Sequence, residues 1–394
     1  MGKISYETHF KSTRADGRLT VSIAAFQEKL RRTEPKLSLP ENLTEESFEL
    51  WHKKVKDKYR EVLRMPEITV QPTPVKLSSE KREGYTLEKW EFYPDEYMAV
   101  PFLVLIPDGA AKESRVPGVM CLLGSTHPKE LVAGEPYKEK YFIGHADNDE
   151  NKMALHIVKN GMAAFVFDNL GIGEQGMPTE NMDLPGYLRT EMVYGYLQAG
   201  VCYPGMATWI ILSFMQYLKT FDFVDMDKLA VSAHSLGTEP AMALGVLCDD
   251  IKAVVFNDFL HNDRVRFCAN TEFPEGDKSL DIGSWHIIPG WWEYFDFPDL
   301  CAAIAPKFLA FNEGGADEWF EVVKRAYKLF GAEDRLQITH YEMYKDESAR
   351  KNHGKVPRYG LSFEEYRRDW CYCDAPNHYF KSEPSIRLLK KAFG

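Results

Sequence analysis

A regular alternation of short apolar runs with helical segments, beginning at residue 116, constrains the fold of this 394-residue chain more than any other feature. The apolar runs have the length of buried strands, and the segments between them have helical length and spacing. The predicted strands are residues 116–123, 163–167, 228–232, 251–256, 307–311 and 336–343. The predicted helices are residues 153–159, 205–219, 238–247, 319–330 and 384–393. This alternation predicts an α/β fold with a mostly parallel central sheet flanked by helices.

The first 72 residues differ from the rest of the chain. Phe48, Trp51, Val55 and Tyr59 recur at helical spacing behind a helix start that Thr44 or Asn42 is expected to cap. The opposite face of this predicted helix carries lysine, glutamate and aspartate. We therefore predict a helical extension, residues 1–72, that packs on the main domain.

The remaining residues, 73–394, are predicted to form one catalytic domain. Its first part, 75–106, alternates as antiparallel strands do. Residues 259–298 are rich in aromatic side chains and residues 345–372 in charge, and both stretches interrupt the strand–helix alternation. Because loops beyond the strand carboxyl ends build the site in such sheets, we predict that both insertions cover it. The tryptophans of the first insertion are expected either to line a substrate pocket or only to seal the domain: Trp285, Trp291 and Trp292.

Charge, apolar runs and cysteine spacing disfavour several classes of partner and cofactor. A formal net charge of −11 disfavours nucleic acid and anionic membranes. The N-terminus shows no apolar signal-peptide segment, and no apolar run reaches the ~20 residues of a membrane helix. Seven scattered cysteines without a CxxC pair predict reduced thiols. We expect a cytoplasmic protein that uses no metal or organic cofactor and binds a small molecule rather than nucleic acid or a membrane, with a homo-oligomer left open.

A nucleophile is predicted at Ser235. The pentapeptide Ala233–Gly237 reads Ala-His-Ser-Leu-Gly, with small residues at both ends, and lies between a predicted strand and a predicted helix. This is the context in which a sharp turn exposes a nucleophilic serine, and the helix start stabilises negative charge. The alternative is a serine that only caps the helix. His234 is expected to pack behind the site or to line the pocket.

A serine nucleophile needs a general base, usually histidine, and hydrolases with this turn place it last in the chain. Three histidines come late enough: His340, His353 and His378. His340 lies inside a predicted strand and His353 in a basic loop. His378 is favoured because it lies between the last predicted strand and the last predicted helix.

The predicted acid is Asp317, which would hold the tautomer of His378 and stabilise its imidazolium. Asp317 follows a predicted strand across a glycine-rich turn. Glu313 and Glu318 are rivals in the same turn, and Asp258 follows the preceding predicted strand.

Acyl transfer also needs two backbone N–H donors directed at the developing oxyanion. One is predicted to be the amide of Leu236, next to the nucleophile. The other is predicted in the loop after the strand 116–123, at Ser125 or Thr126.

Four segments resemble motifs of a known family: Cys121–Gly124 with Lys129 and Glu130, Phe167–Glu174, Asp225–Lys228 leading into Ser235, and Pro289–Pro306. On these motifs the chain, from about Leu43 to its end, resembles the acetyl xylan esterase-like branch of the α/β-hydrolases, close to the dienelactone hydrolase-type enzymes. The resemblance implies an α/β-hydrolase fold and a serine esterase that forms an acyl-enzyme, with short acyl groups such as acetyl on a carbohydrate. The family's catalytic aspartate and histidine fall on Asp317 and His378.

The chain also departs from this family pattern. Lys307 replaces a usual arginine, Gln175 stands where arginine often follows, and the insertion 345–372 is long. These positions affect pocket walls more than the triad, so they bear on the substrate. Two alternatives remain: an amide hydrolase or lyase with the same triad, and a catalytically degenerate binding protein.

Overall fold

A nine-stranded sheet forms the centre of the computed structural model, which describes residues 11–69, 73–137, 148–176, 187–271, 283–352, 355–357 and 359–394. The strands are β1 (Val75–Arg82), β2 (Tyr85–Phe92), β3 (Val100–Pro107), β4 (Val116–Leu122), β5 (Ala163–Phe167), β6 (Val224–His234), β7 (Ile251–Asn257), β8 (Phe308–Phe311) and β9 (Leu336–Ile338). Their spatial order is β1-β2-β3-β5-β4-β6-β7-β8-β9. The pairs from β1 to β5 are antiparallel and the pairs from β5 to β9 are parallel. The predicted α/β fold with a mostly parallel sheet is confirmed.

Helices cover both faces of this sheet. They are α1 (Ser22–Arg31), α2 (Glu45–Leu63), α3 (Lys129–Ala133), α4 (Met153–Lys159), α5 (Tyr187–Gln198), α6 (Tyr203–Leu218), α7 (Thr238–Leu247), α8 (Asp263–Ala269), α9 (Phe297–Ala302), α10 (Asp317–Leu329), α11 (Phe363–Glu365) and α12 (Ser382–Phe393). Side chains alternate across a strand, so β4 contributes to two cores. Met120 and Leu122 belong to one core cluster, and Val119 and Cys121 belong to the other.

Helix α2 joins the N-terminal extension to the larger core. A reciprocal cap starts the helix: the Thr44 hydroxyl accepts from the Ser47 amide at 3.1 Å, and the Ser47 hydroxyl accepts from the Thr44 amide at 2.8 Å. Phe48, Trp51 and Val55 are buried in the same cluster as the sheet. Each such side chain contributes roughly 1.5–3 kcal/mol by burial, so the extension packs on the sheet domain as an integral layer.

Several boundaries differ from those predicted. β6 begins already at Val224 rather than at residue 228, and β9 ends at Ile338, so His340 lies outside the strand. No single helix in the described part of the chain is long and apolar enough to cross a membrane. The pair α5 and α6, bent by 91°, reaches that length and apolarity only when the two are taken together.

Candidate active site

Ser235 lies at a sharp turn between β6 and α7. Its φ of +51° is in the left-handed region, which residues other than glycine rarely adopt. The turn packs tightly on β4, because a Cβ added to Gly237 would approach the carbonyl oxygen of Leu122 to 2.5 Å. Leu122 pairs with Ala233 in the parallel register of β4 and β6. The chain therefore has the strand–turn–helix geometry that the sequence predicted around Ser235.

His378 and Ser235 line the same cavity, which has a volume of about 360 Å³. The carboxylate that orients His378 belongs to Glu313: its Oε2 lies 2.5 Å from His378 Nδ1. Glu313 is fully buried and follows the end of β8. The hydroxyl of Tyr341 donates to the same Oε2 at 2.7 Å, which fixes the carboxylate in place. A buried carboxylate on Nδ1 leaves Nε2 of the imidazole available for proton transfer.

The prediction that Asp317 would orient His378 is wrong in its geometry. Asp317 is the first residue of α10, and its Oδ2 accepts from Nε of Arg350 at 3.3 Å. An acid in the first turn of a helix also interacts favourably with the helix dipole. Glu313, which the sequence offered only as a rival to Asp317, comes before the turn of Gly314 and Gly315 that leads into α10. It therefore stays close to the carboxyl end of β8.

The ionisation of His378 reflects a balance of opposing effects. Burial alone would lower the pKa of His378, but the negative charge and hydrogen bond of Glu313, helped by Asp258, raise it to about 9. Asp258 follows β7 and lines the same cavity. Burial raises the pKa of Asp258 to about 6, against the lowering effect of the His378 charge.

His234 does not line the cavity wall but lies in a stack of three imidazoles. Its ring is 4.7 Å from the His378 ring and 5.1 Å from the His127 ring, measured between centroids. Neither ring nitrogen of His234 has a hydrogen-bond partner among the described residues. Burial holds its pKa well below the usual range, and burial likewise lowers the pKa of His127 to about 4. Both rings are therefore neutral and pack behind His378.

The turn after β4 adjoins the nucleophile, as the sheet register requires. The His127 amide donates to the Gly124 carbonyl at 3.2 Å, which closes a turn that contains Ser125 and Thr126. Leu236, the residue after the nucleophile, is buried and lines the cavity. The assignment of these backbone amides to an oxyanion hole stays a prediction.

The three tryptophans of the first insertion are not on the wall of the Ser235 cavity. The Trp285 ring packs against the guanidinium of Arg189 at 4.3 Å, and Trp292 packs on Phe267 at 5.3 Å. Trp291 is 4% exposed and belongs to the core. At Ser235 the packing of these rings fits the second expectation, that they seal the domain, although Trp291 and Trp292 also line a separate cavity. Their role in substrate binding stays a prediction.

Both insertions nevertheless supply the cavity with other side chains. Phe259, Phe267 and Phe297 come from residues 259–298, and Phe363 and Arg367 come from residues 345–372. The spacing of residues in the sequence does not identify these five side chains as part of the cavity. Their common signal is that they belong to segments following carboxyl ends of parallel strands.

One group of side chains has the spacing of a metal site. Ligand atoms of His234, Glu313 and His378 all lie within 4.8 Å of one another in the described part of the chain. The hydrogen bond between His378 and Glu313 already uses one nitrogen and one carboxylate oxygen of this group. The expectation that no metal or organic cofactor is used stays a prediction.

A family model of the Abhydrolase family matches residues 4–391. The chain belongs to the Abhydrolase family. The match spans the sheet, both insertions and α2, and it confirms the resemblance to α/β-hydrolases. No curated protein matches the chain in a sequence search.

Solved structures extend this comparison. The chain is 36% identical to a "putative acetyl xylan esterase" from Bacteroides fragilis NCTC 9343, with a TM-score of 0.89 and coverage of 97% of both chains. It is 15% identical to a glucuronoyl esterase from Solibacter usitatus (TM-score 0.55, 92% of this chain and 98% of that one). It is 16% identical to a methylesterase (TM-score 0.53, 94% and 78%). The last two show likeness of fold alone. The family match and the 36% identical Bacteroides fragilis structure place the chain among esterase-like hydrolases.

Proposed function

We propose that the protein is a serine carboxylic-ester hydrolase whose triad is Ser235, His378 and Glu313. The observation that carries this proposal is the 2.5 Å hydrogen bond from His378 to the buried Glu313, beside a serine held in a left-handed turn in the same cavity. A base oriented by a buried acid is what a serine needs to become a nucleophile.

In the proposed reaction, Nε2 of His378 removes the proton of Ser235 Oγ as that oxygen attacks the ester carbonyl carbon. The amides of Leu236 and of the turn at Ser125 and Thr126 would stabilise the negative charge on the carbonyl oxygen. Collapse of the tetrahedral intermediate breaks the ester C–O bond, and His378 returns the proton to the departing alcohol. Water, activated by His378, then hydrolyses the acyl-enzyme and releases the acid.

The substrate class proposed first is a short-acyl, acetyl-type ester of a carbohydrate or another small molecule. Support comes from the similarity to the Bacteroides fragilis protein named as an acetyl xylan esterase and from the moderate volume of the cavity, about 360 Å³. The same triad also serves amide hydrolysis or lyase chemistry, and no residue of the cavity specifically favours those reactions.

A fluorophosphonate probe, which forms a stable bond to activated serines, tests the proposed function. Wild-type protein should be labelled and should hydrolyse phenyl acetate, whereas Ser235→Ala should do neither. Thr238→Ala is a matched control that should still be labelled. Thr238 lines the same cavity, and its hydroxyl donates to the Ser235 carbonyl at 2.7 Å. Equal labelling of wild type and Ser235→Ala would refute the assignment, as would folded wild type that remains unlabelled.

A further inference from the structure

The cavity that contains Ser235 also contains a guanidinium that has no ionic partner among the described residues. Arg367 lines this cavity and follows α11 in the second insertion. Its guanidinium carbon lies 4.5 Å from the centroid of the Phe363 ring. Its Nε is buried and has no hydrogen-bond acceptor among the described residues. A buried donor without an acceptor is unfavourable, so a ligand that supplies the acceptor gains affinity at this place.

The other arginine on this wall is already neutralised. The Arg266 guanidinium carbon lies 5.7 Å from the same Phe363 ring, on the cavity wall. Its Nη2, however, donates to Oδ1 of Asp263 at 2.7 Å, and both side chains are largely buried. Arg266 therefore has its counter-ion in the fold itself, and in the described chain Arg367 has none.

The acidic residues of the cavity also have partners other than Arg367. Glu239 is hydrogen-bonded to Nδ1 of His286. Asp258 interacts electrostatically with His378, since the charge of each shifts the pKa of the other. The charge of Arg367 thus remains available to a bound molecule.

We propose that Arg367 binds a carboxylate on the substrate, so that the preferred ester carries an anionic group in addition to the ester bond that is cleaved. This inference rests on the proposed function and narrows its substrate class. A planar guanidinium matches a carboxylate through two parallel hydrogen bonds, and its charge strengthens them. The ring of Phe363 provides an apolar surface beside that group.

Matched pairs of esters that differ only in charge test this proposal. On the alcohol side the pair is 3-acetoxybenzoate and 3-acetoxybenzamide, and on the acyl side it is the 4-nitrophenyl half-ester of adipate and the 4-nitrophenyl ester of adipamate, whose longer chain disfavours attack of the free carboxylate on its own ester. Wild type should show a kcat/KM about tenfold to a hundredfold higher for the anionic member of at least one pair. Arg367→Gln should abolish that preference, so that the ratio of kcat/KM between the anionic and the neutral member falls to about one.

The neighbouring Arg368 provides a matched control. Its side chain is 56% exposed and pairs with Asp369 at 2.7 Å, away from the cavity wall. Arg368→Gln should keep the wild-type preference, and Arg367→Lys should keep part of it because the charge remains. Equal kcat/KM for both members of both pairs in wild type would overturn the proposal, as would an unchanged preference in Arg367→Gln.

Binding to Ser235→Ala separates this proposal from the proposed function. Calorimetry should show tighter binding of the anionic esters to Ser235→Ala than to Ser235→Ala/Arg367→Gln. If wild type hydrolyses none of the esters but this difference persists, the proposed function fails and the anion site stands. If the neutral esters are hydrolysed and no binding difference is found, the anion site fails and the proposed function stands.

Discussion

Two hydrogen bonds, one from His378 and one from Tyr341, fix the position of the Glu313 carboxylate. The orientation of the His378 imidazole therefore depends on Glu313. Its Oε2 accepts from the imidazole at 2.5 Å and from the Tyr341 hydroxyl at 2.7 Å. Its Oε1 has no hydrogen-bond partner among the described residues, although Lys381 Nζ lies 3.9 Å away. Removing the charge of Glu313 would therefore affect the base directly.

We predict that Glu313→Gln lowers kcat by about 10²- to 10⁴-fold, because an amide can present the wrong hydrogen-bonding group to Nδ1 and cannot stabilise the imidazolium. Steady-state kinetics with phenyl acetate measure this effect. Asp317→Asn is the matched control, since Asp317 pairs with Arg350, and its kcat should stay within about threefold. A larger loss in Asp317→Asn than in Glu313→Gln would restore Asp317 as the acid.

A buried ionic cluster holds the loop after β5 against the start of α3. Lys129 is fully buried, and its Nζ contacts Asp168 at 2.8 Å, Glu130 at 2.8 Å and Glu174 at 2.5 Å. The Lys129 amide also donates to Asp168 at 2.8 Å. Asn169, the next residue, donates to the Gly124 carbonyl at 2.8 Å. These contacts fix the turn that includes Ser125 and Thr126.

Lys129→Met is expected to destabilise the protein by about 3–5 kcal/mol, because it leaves the buried Asp168 carboxylate without its cation. Urea unfolding monitored by circular dichroism gives this value. The control is Lys89→Met: Lys89 contacts the same Glu174 at 2.7 Å but is partly exposed, so the loss should be within about 1 kcal/mol. Equal losses in both variants would argue against a special role of the buried pair.

The sequence predicts the strands and helices of the sheet domain well where a strand or helix is buried along its whole length. The five residues of β5 are all buried, and their apolar run gives the strand bounds directly. The termini of α4 and α7 are likewise predicted, because Asn160 and Gly161 end one helix and the Ser235 turn begins the other. The position of Ser235 follows from the same strand–helix framework.

The sequence predicts less where contacts join distant segments. Spacing cannot distinguish Glu313 from Asp317, because the two lie in one short turn and only its path shows which carboxylate reaches His378. Trp285 illustrates the same limit, since its partner Arg189 belongs to another helix. The cavity lining, unlike the strands, depends on such tertiary contacts.

The pH dependence of the reaction reflects the charge of the assembled cavity. Attraction by Glu313 raises the pKa of His378 to about 9, above its ordinary value, so the neutral base accumulates as pH rises toward that value. We predict that kcat/KM increases by about tenfold per pH unit below this pKa and levels off above it. In Glu313→Gln the rise should occur at lower pH, because burial lowers the pKa of His378 and the charge of Glu313 no longer opposes it. A profile that is flat from about pH 5 upward would contradict a histidine base.

Trapping the acyl-enzyme tests whether Ser235 is the nucleophile. Rapid acid quenching of wild type mixed with 4-nitrophenyl acetate, followed by peptide mass spectrometry, should find one acetyl group on the peptide that contains Ser235, formed in step with a burst of 4-nitrophenol. Ser235→Ala should show neither the acetyl group nor the burst. Acetylation at another residue, or turnover by Ser235→Ala at the wild-type rate, would show that Ser235 is not the nucleophile.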